Sequence, residues 1–216
     1  GNKPRDIEVV DDKNVYVSSY SGGVFHSTDL GVSCTRINTS TQSSGVSWIM
    51  STKEKKLVFE SLFDEKGIYL SQENNTSWKM INNSIRNLSK PIADSKNNYY
   101  TSDMYNIYKS TDNCNTWQKL TNLKYLLGMG FYINTDNTIY ATTTNGLYNS
   151  TDQGESWNLI VNKLPYPMGN KLTDQIAVVA RDRVLIATDN GIYESKDCGL
   201  TWSMCYNERL LKNSVN

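Results

Sequence analysis

The chain has 216 residues, of which 22 are basic and 22 acidic, so its formal net charge is zero, and 38% of its residues are hydrophobic. Opposite charges mixed along the whole sequence leave no electrostatic footprint for nucleic acid or an anionic membrane. No apolar run approaches the ~20 residues that a spanning helix needs, so neither nucleic acid nor a membrane span is expected. Abundant Gly, Asn, Ser, Thr and Tyr suit short strands joined by many turns, and a first residue of Gly1 rather than Met suits a processed or an artificially bounded chain alike.

Taken in order, β-branched and aromatic runs bounded by Gly, Asn and Asp predict strands at Ile7 to Val10, Val15 to Ser18, Gly23 to Ser27 and Cys34 to Ile37. The second set is Trp48 to Thr52, Leu57 to Glu60, Gly67 to Leu70 and Ser77 to Ile81. A third follows at Pro91 to Asp94, Tyr99 to Ser102, Asn106 to Lys109 and Thr116 to Leu120. Gly130 to Asn134, Ile139 to Thr142, Gly146 to Asn149 and Ser156 to Ile160 make the fourth. Gln175 to Val179, Val184 to Ala187, Gly191 to Glu194 and Thr201 to Tyr206 make the fifth. The tail, 207–216, lies outside this rhythm and reads as a short helix or a disordered end.

The rhythm is marked by an eight-residue pattern, cleanest at Ser150-Thr151-Asp152-Gln153-Gly154-Glu155-Ser156-Trp157 and repeated from Ser27, Ser71, Ser110 and Ser195. Successive starts lie 44, 39, 40 and 45 residues apart. A period near forty with four strands per unit is the pattern of a propeller. The expected fold is an all-β, five-bladed β-propeller forming a single domain, with blades at about 6–37, 48–81, 90–120, 129–160 and 175–206. An open array or a fragment of a larger ring is the alternative, disfavoured because open ends expose apolar sheet faces.

The pattern S-x-D-x-G-x-[S/T]-W resembles the Asp box, or BNR repeat, of sialidases, sortilin-type receptors, photosystem assembly factors and secreted glycosidases. Its chemistry reads as a folding device. Asp29, Asp112, Asp152 and Asp197 can bond nearby amides of the hairpin between third and fourth strands. Gly31, Gly154 and Gly199 can adopt positive φ. Trp78, Trp117, Trp157 and Trp202 can fill the wedge between blades. Cys34 replaces Trp in the first unit, Glu73 and Asn75 replace Asp and Gly in the second, and Cys114 replaces Gly in the third, which predicts strain or an altered turn there.

Box turns and the turns between first and second strands share one face, so the links between second and third strands and between blades share the other. The resemblance implies a binding site on that second face, where loop lengths are unequal. Tyr20, Phe63, Tyr105 and Tyr166, with Tyr125, fall on its connections and could form a platform for a sugar or peptide; the alternative is that each packs its own loop. Glu60 stands where the other units have Ser18, Ser102, Thr142 and Ala187, and could join Asp64, Glu65 and Asp103 in an acidic cluster; the alternative is a solvated charge.

The expected function is therefore a non-catalytic scaffold for a protein or glycan, extracytoplasmic as the resemblance implies, with a monomer favoured. The alternative is a glycoside hydrolase or lectin using carboxylates of the same face. A typical sialidase is excluded: Arg-Ile-Pro is absent, and five blades are fewer than the six usual for that family. No phosphate-binding or dinucleotide fingerprint appears, so no cofactor is expected. Cys34, Cys114, Cys198, Cys205 and the single His26 lack zinc-site spacing, so no metal is expected either. Pairing of Cys205 with Cys198 or Cys34 is an option beside buried free thiols.

Overall fold

The computed structural model describes residues 3–37, 45–63, 65–72, 75, 77–103, 105–120, 123, 131–143, 146–162, 172–180, 183–188, 191–197 and 199–205. Among them are five four-stranded sheets, each a meander in sequence order, and no α-helix. Sheet one contains β1 (Pro4–Val9), β2 (Val15–Ser19), β3 (Gly23–Ser27) and β4 (Thr35–Arg36); sheet two contains β5 (Val46–Ser51), β6 (Leu57–Ser61), β7 (Gly67–Gln72) and β8 (Ser77–Asn82). Sheet three has β9 (Ile92–Ala93), β10 (Tyr99–Ser102), β11 (Ile107–Ser110) and β12 (Gln118–Leu120). Sheet four has β13 (Phe131–Ile133), β14 (Ile139–Thr143), β15 (Gly146–Ser150) and β16 (Asn158–Asn162), and sheet five β17 (Leu172–Ala180), β18 (Arg183–Thr188), β19 (Gly191–Ser195) and β20 (Ser203–Met204).

Two compact units result. One comprises residues 1–103 and 107–119, the other 104–106 and 120–216. Two outer strands, β4 and β20, are shorter than expected from sequence, spanning two exposed residues each. By contrast β17 runs beyond its expected ends, and β6 reaches Ser61.

In the first unit, sheet two supplies most of the core. β6 is buried along its whole length, so successive residues serve opposite faces, as pleating requires. Leu57 and Phe59 pack with Tyr16, Val24, Tyr69 and Trp78, whereas Val58 joins Trp48, Leu88, Tyr99 and Cys114. A charged seam adds to this packing: Asp6 accepts the Ile49 N–H at 3.1 Å, Glu8 accepts Ser51 N–H at 3.0 Å, and Lys90 lies 3.0 Å from both carboxylates. Tyr140, Leu147, Val184 and Ile186 form a cluster in the second unit, with Tyr132, Ile160 and Trp202 against it.

Turns between first and second strands also repeat. Val10 N–H donates to Asn14 O, Thr52 to Lys56, Asp94 to Asn98 and Asn134 to Thr138, all at 2.7–3.0 Å. Lys55, Asn97 and Asn137 hold φ near +60° in three of these loops, the left-handed residue that closes a three-residue hairpin. Cys34, Cys114 and Cys205 carry free thiols; Cys114 is buried, but Cys34 is exposed, which corrects the expectation of uniformly buried thiols. Cys198 and residues 206–216 lie outside the described residues.

Candidate functional site

The box closes the same way in each of the four repeats where its first and third residues are Ser and Asp. Ser150 Oγ donates to Asp152 Oδ1 at 2.8 Å and accepts the Gly154 N–H at 2.8 Å; Asp152 then accepts Ser156 N–H at 2.9 Å and its hydroxyl at 2.5 Å. Matching bonds surround Asp29, Asp112 and Asp197. In three of these boxes the fourth and fifth residues both have positive φ: 57° and 89° at Leu30 and Gly31, 55° and 67° at Asn113 and Cys114, 64° and 91° at Gln153 and Gly154. Two consecutive left-handed residues are the signature of a type I′ turn, closed in the first box by Val32 N–H donating to Asp29 O at 3.3 Å. Sequence reading assigned that conformation only to the glycine position and missed its neighbour.

Cys114 corrects the expectation of an altered turn. Its N–H still donates to Ser110 Oγ at 3.0 Å, and its side chain is fully buried with Trp48 and Tyr99, which offsets the cost of a non-glycine residue at positive φ. In the second repeat Asn75 takes the left-handed position, φ 66°, and bonds to Ser71. Trp78, Trp117 and Trp202 pack on the core clusters, and Trp157 approaches Gly154.

Hydrogen bonds set the charge of these turns. The hydroxyl and N–H of Ser33, Ser156 and Thr201 hold Asp29, Asp152 and Asp197 at about 2. Burial pushes Asp112 upward, but bonds from Thr116 and Ser110 outweigh it and its value is lowered as well. Because the folded values lie below the usual 3.8, this stabilisation is complete above that pH and is lost as pH falls toward about 2. Urea midpoints measured from pH 5 to pH 2 should fall, and Asp152→Asn should flatten part of that slope; an identical slope would contradict the assignment.

On the opposite ends of sheets one and two, three segments meet. Tyr20 N–H donates to Lys3 O and Leu62 N–H to Gly45 O, both at 2.9 Å. Tyr20 and Phe63 then contact edge to face, centroids 5.2 Å apart, with the Arg5 guanidinium 4.9 Å from the Tyr20 centroid. Gly45 permits this approach, since a Cβ there would stand 2.4 Å from the Phe63 ring and 2.6 Å from Tyr20 O. Tyr20 remains 41% exposed. Arg5 and Gly45 carried no signal in sequence, because neither recurs among the units.

The carboxylates fall elsewhere. Glu60 is only 2% exposed, so it is not a solvated charge. Its Oε1 accepts Leu88 N–H at 3.1 Å, while Oε2 has no hydrogen-bond partner among the described residues. The groups acting on it are Leu88, Asn87, Trp48 and Ser47, all uncharged. Asp103 instead accepts the Tyr108 hydroxyl at 2.7 Å. Tyr105, in the second compact unit, is 64% exposed; Asp64, Tyr125 and Tyr166 lie outside the described residues.

Burial raises Glu60 above the usual 4.5, against the N–H groups of Leu88 and Asn87. The folded state thus binds this proton more tightly, and the contribution favours folding at low pH and fades as pH rises through the folded value. Glu60→Gln should remove that fading, so its stability relative to the parent should be greater at pH 8 than at pH 4.5 in urea melts; the reverse order would refute a buried neutral acid.

Together the meandering sheets and recurrent turns define an all-β protein of propeller-like, four-stranded antiparallel sheets. No family model matches the sequence, and no curated protein matches it. Solved structures do. The structure titled "YCF48 bound to D1 peptide" is similar over 94% of this chain and 67% of its own, with 15% identity and a TM-score of 0.71. Virginiamycin B lyase from Staphylococcus aureus matches over 95% and 71%, at 15% identity and a TM-score of 0.69. The GH74 enzyme of Niastella koreensis matches over 94% of this chain but only 31% of its own, at 16% identity and a TM-score of 0.69. At such identities the likeness concerns the fold alone.

Proposed function

We propose that the chain is a non-catalytic binding module: a five-bladed propeller with one Asp box per blade, offering the loops opposite the boxes to a protein or glycan. The observation that carries this reading is the meeting of Tyr20, Phe63 and Arg5 over Gly45. Such a patch joins aromatic area to a cation held in place, the combination most enriched among residues that dominate interfaces. A peptide is bound by the similarly folded YCF48, which supports a protein ligand. Glu60 contributes here by holding the backbone at Leu88, and Asp64, Asp103, Tyr105 and Tyr166 are further contacts to be tested on the same footing. An extracytoplasmic monomer is the setting proposed.

Peptide and glycan arrays probed with the intact chain should yield a ligand whose binding weakens about 30-fold in Tyr20→Ala or Phe63→Ala, the cost of losing an aromatic hot spot. Unchanged binding in both variants would remove this patch from the site. Turnover of chromogenic glycosides abolished by Glu60→Gln would replace the binding module with a hydrolase.

A further inference from the structure

A second site lies at the box-bearing ends of sheets one and two, within the first unit and away from the loops discussed above. It is a cavity of about 480 Å³, within the range of small-molecule pockets. The β1–β2 turn, the β5–β6 turn and the box of the second repeat, Ser71 to Asn75, each contribute to its wall.

One side is built around the chain's single histidine. Asp11 Oδ1 accepts Lys13 N–H at 3.1 Å, Asn14 N–H at 2.9 Å and Asn14 Nδ2 at 2.8 Å. That bond fixes the Asn14 amide, so its Oδ1 faces His26 Nε2 at 2.8 Å and must accept from it. Nε2 therefore carries the proton in neutral imidazole, and Nδ1 is an acceptor. Stacking on Tyr16, with centroids 4.3 Å apart and planes within 4°, holds the ring.

The other side carries two opposed pairs, Lys55 with Asp11 and Lys56 with Glu54, each at 3.7 Å. Both are too long for direct charge-assisted hydrogen bonds, and exposed pairs of this kind contribute little by themselves. The formal charges on the four side chains cancel. A fully charged ligand would have to break these pairs, whereas a hydroxyl can donate to a carboxylate while accepting from the adjacent ammonium. Val10 adds an apolar wall, which suits the C–H face of a sugar ring.

We infer that this cavity binds a short neutral saccharide, with ring hydroxyls bridging Asp11 to Lys55 and Glu54 to Lys56 and a further hydroxyl donating to His26 Nδ1. Nothing in this assignment depends on the ligand of the opposite loops.

Since His26 is the only histidine, its ring resonances report on the cavity without ambiguity. The intact chain is titrated with glucose, galactose, N-acetylglucosamine, maltose and lactose, with glycine betaine and sulfate as charged comparisons. The expected result is a saturable shift of the His26 signals by at least one saccharide, with Kd below about 10 mM. It should weaken about tenfold in Lys56→Ala and in Asp11→Asn, as loss of a hydrogen bond to a charged group predicts, and stay unchanged in Phe63→Ala. If Asp11→Asn loosens its turn, Lys56→Ala, on an exposed side chain, still decides. A response to the charged probes alone, no saturable shift with any of the five sugars, or full binding in Lys56→Ala would each overturn the proposal.

Discussion

Phe59→Ala is expected to destabilise the first unit by about 3–5 kcal/mol, the cost of emptying a fully buried aromatic site. Phe59 has no exposed surface, lies nearly parallel to Tyr69 with centroids 5.2 Å apart, and meets Trp78 edge to face at 4.8 Å. Its replacement removes the ring that both neighbours contact. Neither can close the gap, because β6 and β7 are pinned by their ladder at Phe59 and Tyr69, so a cavity remains and dispersion contacts are lost. Urea unfolding followed by tryptophan fluorescence measures the loss; a cost under about 1.5 kcal/mol, typical of tolerated volume-conserving swaps, would mean that this core is not packed as described.

Gly67→Ala should cost about 2–3 kcal/mol, at the upper end for overpacking. An added Cβ would stand 2.4 Å from the Asn82 carbonyl oxygen. That oxygen is backbone, and the end of β8 is held where it is: Asn82 Oδ1 accepts Ser84 N–H at 2.8 Å and Ile85 N–H at 3.0 Å. Relief therefore requires the strand end to move. Gly31→Ala provides the comparison, since nothing lies within 4 Å of its added Cβ and only its φ of +89° opposes the change, at about 1–2 kcal/mol. Thermal melts of the two variants should rank Gly67→Ala as the more damaging, and the opposite ranking would contradict the geometry.

This contrast explains much of what was legible beforehand. Gly31 announces itself through a local motif, whereas Gly67 is one glycine among others until the strand beside it is known. The box could be read because its bonds close within eight residues, and the same holds for turns such as Asp94 to Asn98. Even there the fourth position escaped notice: Leu30, Asn113 and Gln153 share a left-handed conformation but no side-chain chemistry. Cys114 looked like a strained exception, yet the space awaiting its thiol belongs to another sheet.

The candidate site was less legible still. Tyr20 and Phe63 could be placed on connections, but their contact depends on Gly45 and on how sheets one and two pack. Glu60 stood out because the other units carry small residues at its position. Whether it faced solvent or the core depended on the link carrying Leu88, 28 positions away, and that link covers it.

By itself, then, the amino-acid order determined the repeating four-stranded unit, its box turns and its short hairpins, because those depend on backbone conformations and hydrogen bonds reached within a few residues. Only the tertiary structure decided which glycine is crowded, that the Glu60 carboxyl is buried, that Tyr20 meets Phe63, and that His26 lines a cavity. These depend on segments brought together from different sheets, where packing and exclusion of water, rather than local preference, select the partner.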